Sequence, residues 1–220
     1  MSRRIAVLRP EPGNRVTASA IEAMGRHAIR LPLFVTKPLA WEIPDPARFD
    51  ALILTSANAL RHGGAGLGQL TGLPVHAVGK VTGEAARRFG FNVVTNGDSG
   101  AETLLARAEA AGVRRALHLA GREHTAHSSG IVAQVIPIYA SDPLPVSPEA
   151  AAQLDGSVAL IQSARAAVRL GEIVRERSSI ALVAVSEAVA QAAGEGWERI
   201  VVPSGPSSEK MIHAALALAD

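Results

Sequence analysis

Seven short runs, aliphatic throughout except for one histidine in each of two, punctuate the chain. They fall at residues 5–8 (IAVL), 51–54 (ALIL), 75–78 (VHAV), 116–119 (ALHL), 158–161 (VALI), 180–185 (IALVAV) and 200–202 (IVV). An uninterrupted apolar run of this length marks a strand buried on both faces, as in a parallel sheet. Most runs lead through a Gly, Ser, Thr or Pro turn into a helical pattern, at residues 56–61, 82–89, 101–111, 164–177, 187–193 and 208–219. Such strand–turn–helix alternation predicts an α/β fold, with parallel sheets covered by helices on both faces.

Two segments break the rhythm. Residues 30–39 (RLPLFVTKPL) and 134–144 (QVIPIYASDPL) read as extended and carry Pro toward both ends. Proline removes a ladder donor and restricts the residue before it, so both are expected as edge or connector strands. The chain also repeats itself. Residues 51–58 (ALILTSAN) resemble 159–165 (ALIQSAR), 75–91 resemble 181–197, and 93–105 resemble 201–212, all at an offset of about 107 residues. Three matches in the same order predict two similar flavodoxin-like or Rossmann-like lobes, with the two extended segments as a two-stranded connector. Residues 1–36 supply too few elements for a core of their own. They are therefore expected to join residues 142–220 in a discontinuous lobe, with residues 37–141 as the inserted lobe and the working site in the cleft between them.

Composition narrows the function classes. The 220 residues are 48% hydrophobic but only 3% aromatic, so few stacking platforms exist for single-stranded nucleic acid. The net charge of +2 is a mild bias toward anionic partners, without the concentrated basic stretches of a nucleic-acid binder. Absence of cysteine excludes disulfides, thiolate catalysis and Cys-ligated zinc. The start, MSRRIAVLRPEPGNR, turns polar too early for a secretion signal, and no stretch reaches the roughly 18 apolar residues of a membrane span. A cytoplasmic, monomeric protein with no membrane or nucleic-acid partner is expected.

Candidate chemistry gathers in the turns after the strands. These turns hold Thr55, Ser56 and Asn58; Gly79, Lys80 and Thr82; Ser99 and Gly100; Gly121 and Arg122; Ser163; Ser186; and Ser204, Ser207 and Ser208. In open parallel sheets ligands bind beyond the carboxyl ends of strands, where hydroxyls and helix-start N–H groups hold carboxylates or phosphates. Plain N-capping is the competing reading for each Ser and Thr. Arg9 and Arg122 each follow a strand, and are expected to point at one carboxyl edge as carboxylate partners; solvated surface arginines are the alternative. Tyr139, the sole tyrosine, lies in the second extended segment. Its phenol is placed to donate a proton or hydrogen bond, unless it only packs where strands cross. His124 and His127 lack a convincing carboxylate to complete a metal set. Residues 63–68 (GGAGLG) follow a helix and miss the dinucleotide-binding spacing.

These pieces together resemble the uroporphyrinogen-III synthase family. The resemblance rests on Leu8-Arg9-Pro10, residues 49–60 (FDALILTSANAL), 77–86 (AVGKVTGEAA), 97–105 (GDSGAETLL), 118–122 (HLAGR), Ile138-Tyr139, 159–168 (ALIQSARAAV), 185–192 and 203–208. It implies two α/β lobes and a cofactor-free, metal-free enzyme. The substrate would be hydroxymethylbilane, a linear tetrapyrrole with eight carboxylates, handed on transiently by the preceding pathway enzyme. The resemblance implies that the terminal hydroxyl leaves as water, and that the resulting azafulvene closes the ring through a spiro intermediate that inverts the last ring. Tyr139 resembles the family's cleft tyrosine, while Thr55, Ser56, Thr82 and Ser163 match its substrate-contacting hydroxyls. The chain departs from the family at Val185-Ser-Glu-Ala-Val, where many members have Gly-x-Thr-Thr-Ala. There Ser186 replaces a hydroxyl only in part, and Glu187 adds negative charge. A non-catalytic two-lobed binding protein and a degenerate synthase homologue are the competing readings.

Overall fold

A computed structural model describes residues 2–97, 100–123 and 130–220. The chain divides into two compact units, one of Met1–Val35 with Asp142–Asp220 and one of Thr36–Ser141. Each is an α/β layer structure built on a mostly parallel sheet.

The first unit holds β1 (Ile5–Val7), β2 (Ala28–Arg30), β9 (Val158–Ile161), β10 (Ala181–Ala184) and β11 (Arg199–Val201), in the order β11-β10-β9-β1-β2. All four pairings are parallel, with Ile5 beside both Ala28 and Val158. In this unit's own chain order the sheet runs 2-1-3-4-5, the flavodoxin-like arrangement, with its switch point between β1 and β9. Alternate strand residues fill two cores. Ala6, Leu8, Ile161 and Leu182 meet α6 (Ala164–Ile173), α7 (Glu187–Ala193) and Trp197 on one face. Ile5, Val7, Leu160 and Val183 meet α1 (Gly13–Ala23) and α8 (Ser208–Ala219) on the other. Helix α5 (Pro148–Ala152) leads into β9.

The second unit orders its strands β3-β8-β7-β4-β5-β6. These are β3 (Phe34–Pro38), β4 (Ala51–Leu54), β5 (Val75–Val78), β6 (Val93–Gly97), β7 (Ala116–Gly121) and β8 (Val132–Pro143). From β8 to β6 the pairing is parallel. Hydrogen bonds from Leu39 N to the Ile138 carbonyl and from Leu144 N to the Leu33 carbonyl set β3 antiparallel to β8. Leu52, Leu54, Leu117 and Leu119 pack under α2 (Asn58–His62) and α3 (Lys80–Phe89), while Ala51, Ile53 and Ala116 pack under α4 (Gly100–Ala110).

The aliphatic runs thus become strands for the expected reason. Every residue of β1, β4, β9 and β10 is buried, which only a two-sided covering allows. The internal repeat has a structural counterpart. Strands β4, β5 and β6 occupy the positions of β9, β10 and β11, and β7-β8 those of β1-β2. The connectivity is permuted: β1-β2 precede the repeated portion in the first unit, whereas β7-β8 follow it in the second.

Three expectations need correction. Of the edge and connector readings of residues 134–144 only the edge one is excluded, since β8 is hydrogen-bonded on both sides; a register slip between Ala120 and Gly121, close to Pro137, accommodates the missing donor. The helix expected over 164–177 stops at Ile173, where Val174 turns extended and buries its side chain. Arg177 then folds back, donating to the Gly171 carbonyl at 2.7 Å and lying over the Trp197 ring. Strands β2 and β6 escaped detection because neither is buried along its length: only Ile29 of β2 is buried, and much of β6 is half-exposed.

Candidate functional site

The order β8-β7-β4-β5 sets four neighbouring strands of the second unit side by side. Gly121 with Arg122, Thr55 with Ser56, and Gly79 with Lys80 follow one another across the carboxyl ends of β7, β4 and β5, and Tyr139, inside β8, lies level with Gly121. The switch point of this sheet lies between β4 and β7, so Thr55 and Gly121 flank the place where the fold opens a crevice.

Each of these residues is held locally. Tyr139 pairs with Gly121 across β7 and β8. A Cβ at position 121 would sit 2.8 Å from the Tyr139 ring, so glycine is what allows the phenol to lie against this strand. The Tyr139 carbonyl accepts from Arg122 N at 2.8 Å. Thr55 Oγ1 stands 3.2 Å from Nε2 of His118, a β7 residue only 3% exposed. Ser56 Oγ accepts from Asn58 N at 3.2 Å, and Asn58 Oδ1 accepts from Arg61 at 2.8 Å. Gly79 has φ +77, a conformation that favours glycine, and hands over to α3 without a side-chain cap. Lys80 is largely exposed and lies 3.9 Å from Glu84, whereas Thr82 is buried in the first turn of α3. Arg122 is already engaged by a carboxylate, its Nη2 2.8 Å and its Nε 2.9 Å from Glu123 Oε1; Glu123 Oε2 also accepts from Ser141 N at 3.2 Å.

In the first unit, Arg9, Ser163 and Ser186 follow β1, β9 and β10 in the same fashion. Ser163 Oγ accepts from Ala166 N and Ser186 Oγ from Val189 N, so the capping reading describes both hydroxyls. Arg9 folds over the start of α1, where a Cβ on Gly13 would run into its guanidinium. Asn14, fully buried, donates to the Val7 and Arg9 carbonyls at 2.7 and 3.1 Å and fixes this corner. Arg9 and Arg122 were expected at a single carboxyl edge. They instead occupy corresponding corners of two different sheets, because the chain segments that carry β1 and β7 belong to different units. Ser204 and Ser207 follow β11, and Ser207 caps α8. Ser99, His124 and His127 lie outside the described residues.

Sequence reasoning missed a histidine beside Tyr139 and the threonine that holds it. His62, the last residue of α2, has its ring centroid 6.1 Å from that of Tyr139 and its Nε2 3.0 Å from Thr36 Oγ1. Burial, and secondarily the Arg61 charge, pushes the His62 pKa below its ordinary value. No local pattern announces this pair, because Thr36, His62 and Tyr139 are brought together only by the sheet. A groove of about 450 Å³, lined by Val146, Ala151, Ile173 and Arg175, lies elsewhere, where α5 and α6 lead into the amino ends of β9 and β10.

Among the described residues no helix is long and apolar enough to cross a membrane. No curated protein matches the chain by sequence. The fold matches the uroporphyrinogen-III synthetase of Helicobacter pylori 26695 with a TM-score of 0.68 at 18% identity, over 98% of this chain and 99% of that one. It also matches a mutant uroporphyrinogen III synthase from the extremely thermophilic bacterium Thermus thermophilus with a TM-score of 0.59 at 16% identity, over 97% of each chain. At such identities these likenesses establish the fold. The family itself comes from the sequence: the model described as "Uroporphyrinogen-III synthase HemD" matches residues 15–213, nearly the whole length of both units, and the chain therefore belongs to the uroporphyrinogen-III synthase family.

Proposed function

We propose that this chain carries out its family's cyclisation with Tyr139 as the group that meets the departing hydroxyl, and with the carboxyl ends of both sheets as the surfaces that hold the substrate's carboxylates. As a uroporphyrinogen-III synthase, the enzyme closes hydroxymethylbilane to uroporphyrinogen III, with loss of water and inversion of ring D. The observation that carries the activity is the family match across residues 15–213. For the site, support comes from the Tyr139 ring lying against Gly121 beside the β4–β7 switch point.

The chemistry asks for little beyond geometry. Hydroxide is a poor leaving group, and a hydrogen bond or proton from a phenol eases its departure as water. Closure then depends on folding a flexible polyanion so that its two ends meet, and holding reacting ends in place can supply up to roughly 7–11 kcal/mol of barrier reduction. Arg9, Arg122 and Lys80 supply cationic partners for carboxylates. Thr55, Ser56, Asn58, Thr82, Ser163 and Ser186 belong to the same binding reading, as do Gly79, whose missing side chain leaves open space, and Gly121, whose missing side chain admits the Tyr139 ring. For Arg122 the substrate carboxylate would take over from Glu123, a like-for-like exchange. The same reading has the enzyme working in the cytoplasm as a single copy that accepts hydroxymethylbilane from the preceding enzyme.

Freshly made hydroxymethylbilane supplied to the purified protein, with the uroporphyrin isomers resolved after oxidation, tests the activity. Isomer III in excess is expected; isomer I alone, as in spontaneous closure, overturns it. Tyr139→Phe is expected to fold normally and turn over slowly. An unchanged rate removes Tyr139 from the mechanism.

A further inference from the structure

We infer that His62, docked on the Thr36 hydroxyl, is the positioning residue that holds the Tyr139 ring for the reaction. This rests on the assignment of Tyr139 above and adds to it a wall that no sequence motif announces. Gly121 backs the phenol from β7, where any Cβ would strike it. His62 closes a second side, its ring tilted 30° to that of Tyr139 at 6.1 Å, within the range over which aromatic rings attract.

Three further contacts stop the imidazole from swinging away. Its Nε2 is 3.0 Å from Thr36 Oγ1 on β3, the strand hydrogen-bonded to β8. Trp41 Nε1 donates to the Gly63 carbonyl at 3.1 Å, tying down the residue that follows His62. Gly63 itself packs so closely that a Cβ there would lie 2.6 Å from Leu67 and 2.7 Å from the Ala59 carbonyl, so the end of α2 has one way to sit. The depressed His62 pKa keeps the imidazole neutral near pH 7, which leaves one ring nitrogen to donate and the other to accept. A neutral ring suits this place, because it can pack on a phenol and bond a hydroxyl without a counter-ion.

Tyr139 is the only tyrosine, so a tyrosine ring label reports on it alone. The experiment combines that signal with steady-state kinetics on His62→Ala, Thr36→Val, Tyr139→Phe and the double variant His62→Ala/Tyr139→Phe. With a slight misplacement of a reacting group costing up to about 100-fold, His62→Ala is expected to lower kcat roughly 10- to 100-fold with KM little changed. Thr36→Val should act in the same direction but less, and both should shift the labelled ring signal. In the Tyr139→Phe background, His62→Ala should add almost nothing, because its effect passes through the phenol.

An unshifted ring signal overturns the proposal. So does a wild-type kcat in His62→Ala, or an equal loss with and without the phenol. If instead Tyr139→Phe keeps the wild-type rate, the assignment of Tyr139 falls first and takes this proposal with it. That outcome is distinguishable from a slow Tyr139→Phe beside a fast His62→Ala. Should His62→Ala fail to fold, Thr36→Val carries the test by the same criteria.

Discussion

Strand for strand, β11-β10-β9-β1-β2 of the first unit corresponds to β6-β5-β4-β7-β8 of the second, yet the residues at the carboxyl ends are used differently. After β9 and β10, Ser163 and Ser186 turn their oxygens onto the first turns of α6 and α7. After β4 and β5, Thr55 faces the buried His118 and Gly79 leaves α3 with no side-chain cap. A hydroxyl that caps its own helix contributes to stability, and its remaining donor and lone pair are held in the direction the cap sets. A hydroxyl aimed at a buried imidazole is oriented by a group that can itself donate or accept. The contrast sharpens at the next strand. At the β7 corner glycine makes room for the rigid ring of Tyr139, while at the β1 corner Gly13 makes room for the flexible end of Arg9. On the reading proposed above, the reacting group belongs to the second unit, and the first contributes only binding residues.

Gly121→Ala tests this division most sharply. The new methyl would meet the Tyr139 ring at 2.8 Å, and a ring wedged between strand and His62 can only be displaced. Turnover should fall roughly 100-fold, the scale of a misplaced reacting group. Gly13→Ala, by contrast, pushes aside only a guanidinium and replaces a helical glycine. It should leave kcat nearly intact and raise KM. Steady-state kinetics on the two variants check the pair, and equal effects on kcat would erase the distinction.

Much of this architecture is legible in the sequence, and the reasons are physical. The runs 51–54, 75–78 and 158–161 become strands over those same residues because parallel strands buried on both faces take almost only apolar residues, with His76 the one exception among these three. Helices over 187–193 and 208–219 are legible because a Ser cap precedes each. What stays hidden is set by pairing across the sheet. Thr55 and His118 are 63 positions apart, and Thr36 and His62 are 26 apart, with no local signal linking them. The placing of Arg9 and Arg122 at one edge failed for a different reason: the lobe boundaries read from the sequence already put residue 9 in one lobe and residue 122 in the other, so the two strand ends belong to different sheets.

Acid should distinguish the units next. His62 and His76 both belong to the second unit, and burial pushes the pKa of each below the ordinary value of 6.5. For His76, Asp50 opposes that shift without reversing it. A base with a depressed folded-state pKa binds protons more readily when unfolded. Its contribution is intact above the unfolded value and is lost as pH falls below it toward the folded value. The second unit should therefore lose stability as pH drops below about 6.5. Amide exchange across the strands of each unit at pH 7.5 and pH 5.5 measures this; the prediction fails if β4 and β5 stay as protected as β9 and β10. His76→Gln should reduce the acid sensitivity.

Removing the caps probes the first unit at smaller cost. Ser163→Ala and Ser186→Ala should each lower stability by about 1 kcal/mol, the usual value of an N-cap hydroxyl. Thr55→Val removes no cap, so its effect should appear in turnover. Denaturant midpoints set beside kcat for the three variants separate the roles. A Ser186→Ala protein that is fully stable but poorly active would assign Ser186 to the substrate.

The smallest effect concerns the first residues of α3 and α7, which occupy matching places in the two sheets. One is Lys80 and the other is Glu187, both exposed. A polyanionic substrate should be attracted to the first and repelled by the second. In water a unit charge about 4 Å away is worth about 1 kcal/mol, and salt screens it. Lys80→Glu should raise KM severalfold, and Glu187→Lys should lower it by a comparable factor. Stability should scarcely change, because Lys80 and Glu84 form only an exposed pair at 3.9 Å. Both shifts should shrink as ionic strength rises, which distinguishes a field effect from a direct contact. If Glu187→Lys leaves KM unmoved at low salt, the α7 corner holds no substrate carboxylate, and the asymmetry between the two sheets is deeper than a swap of one charge.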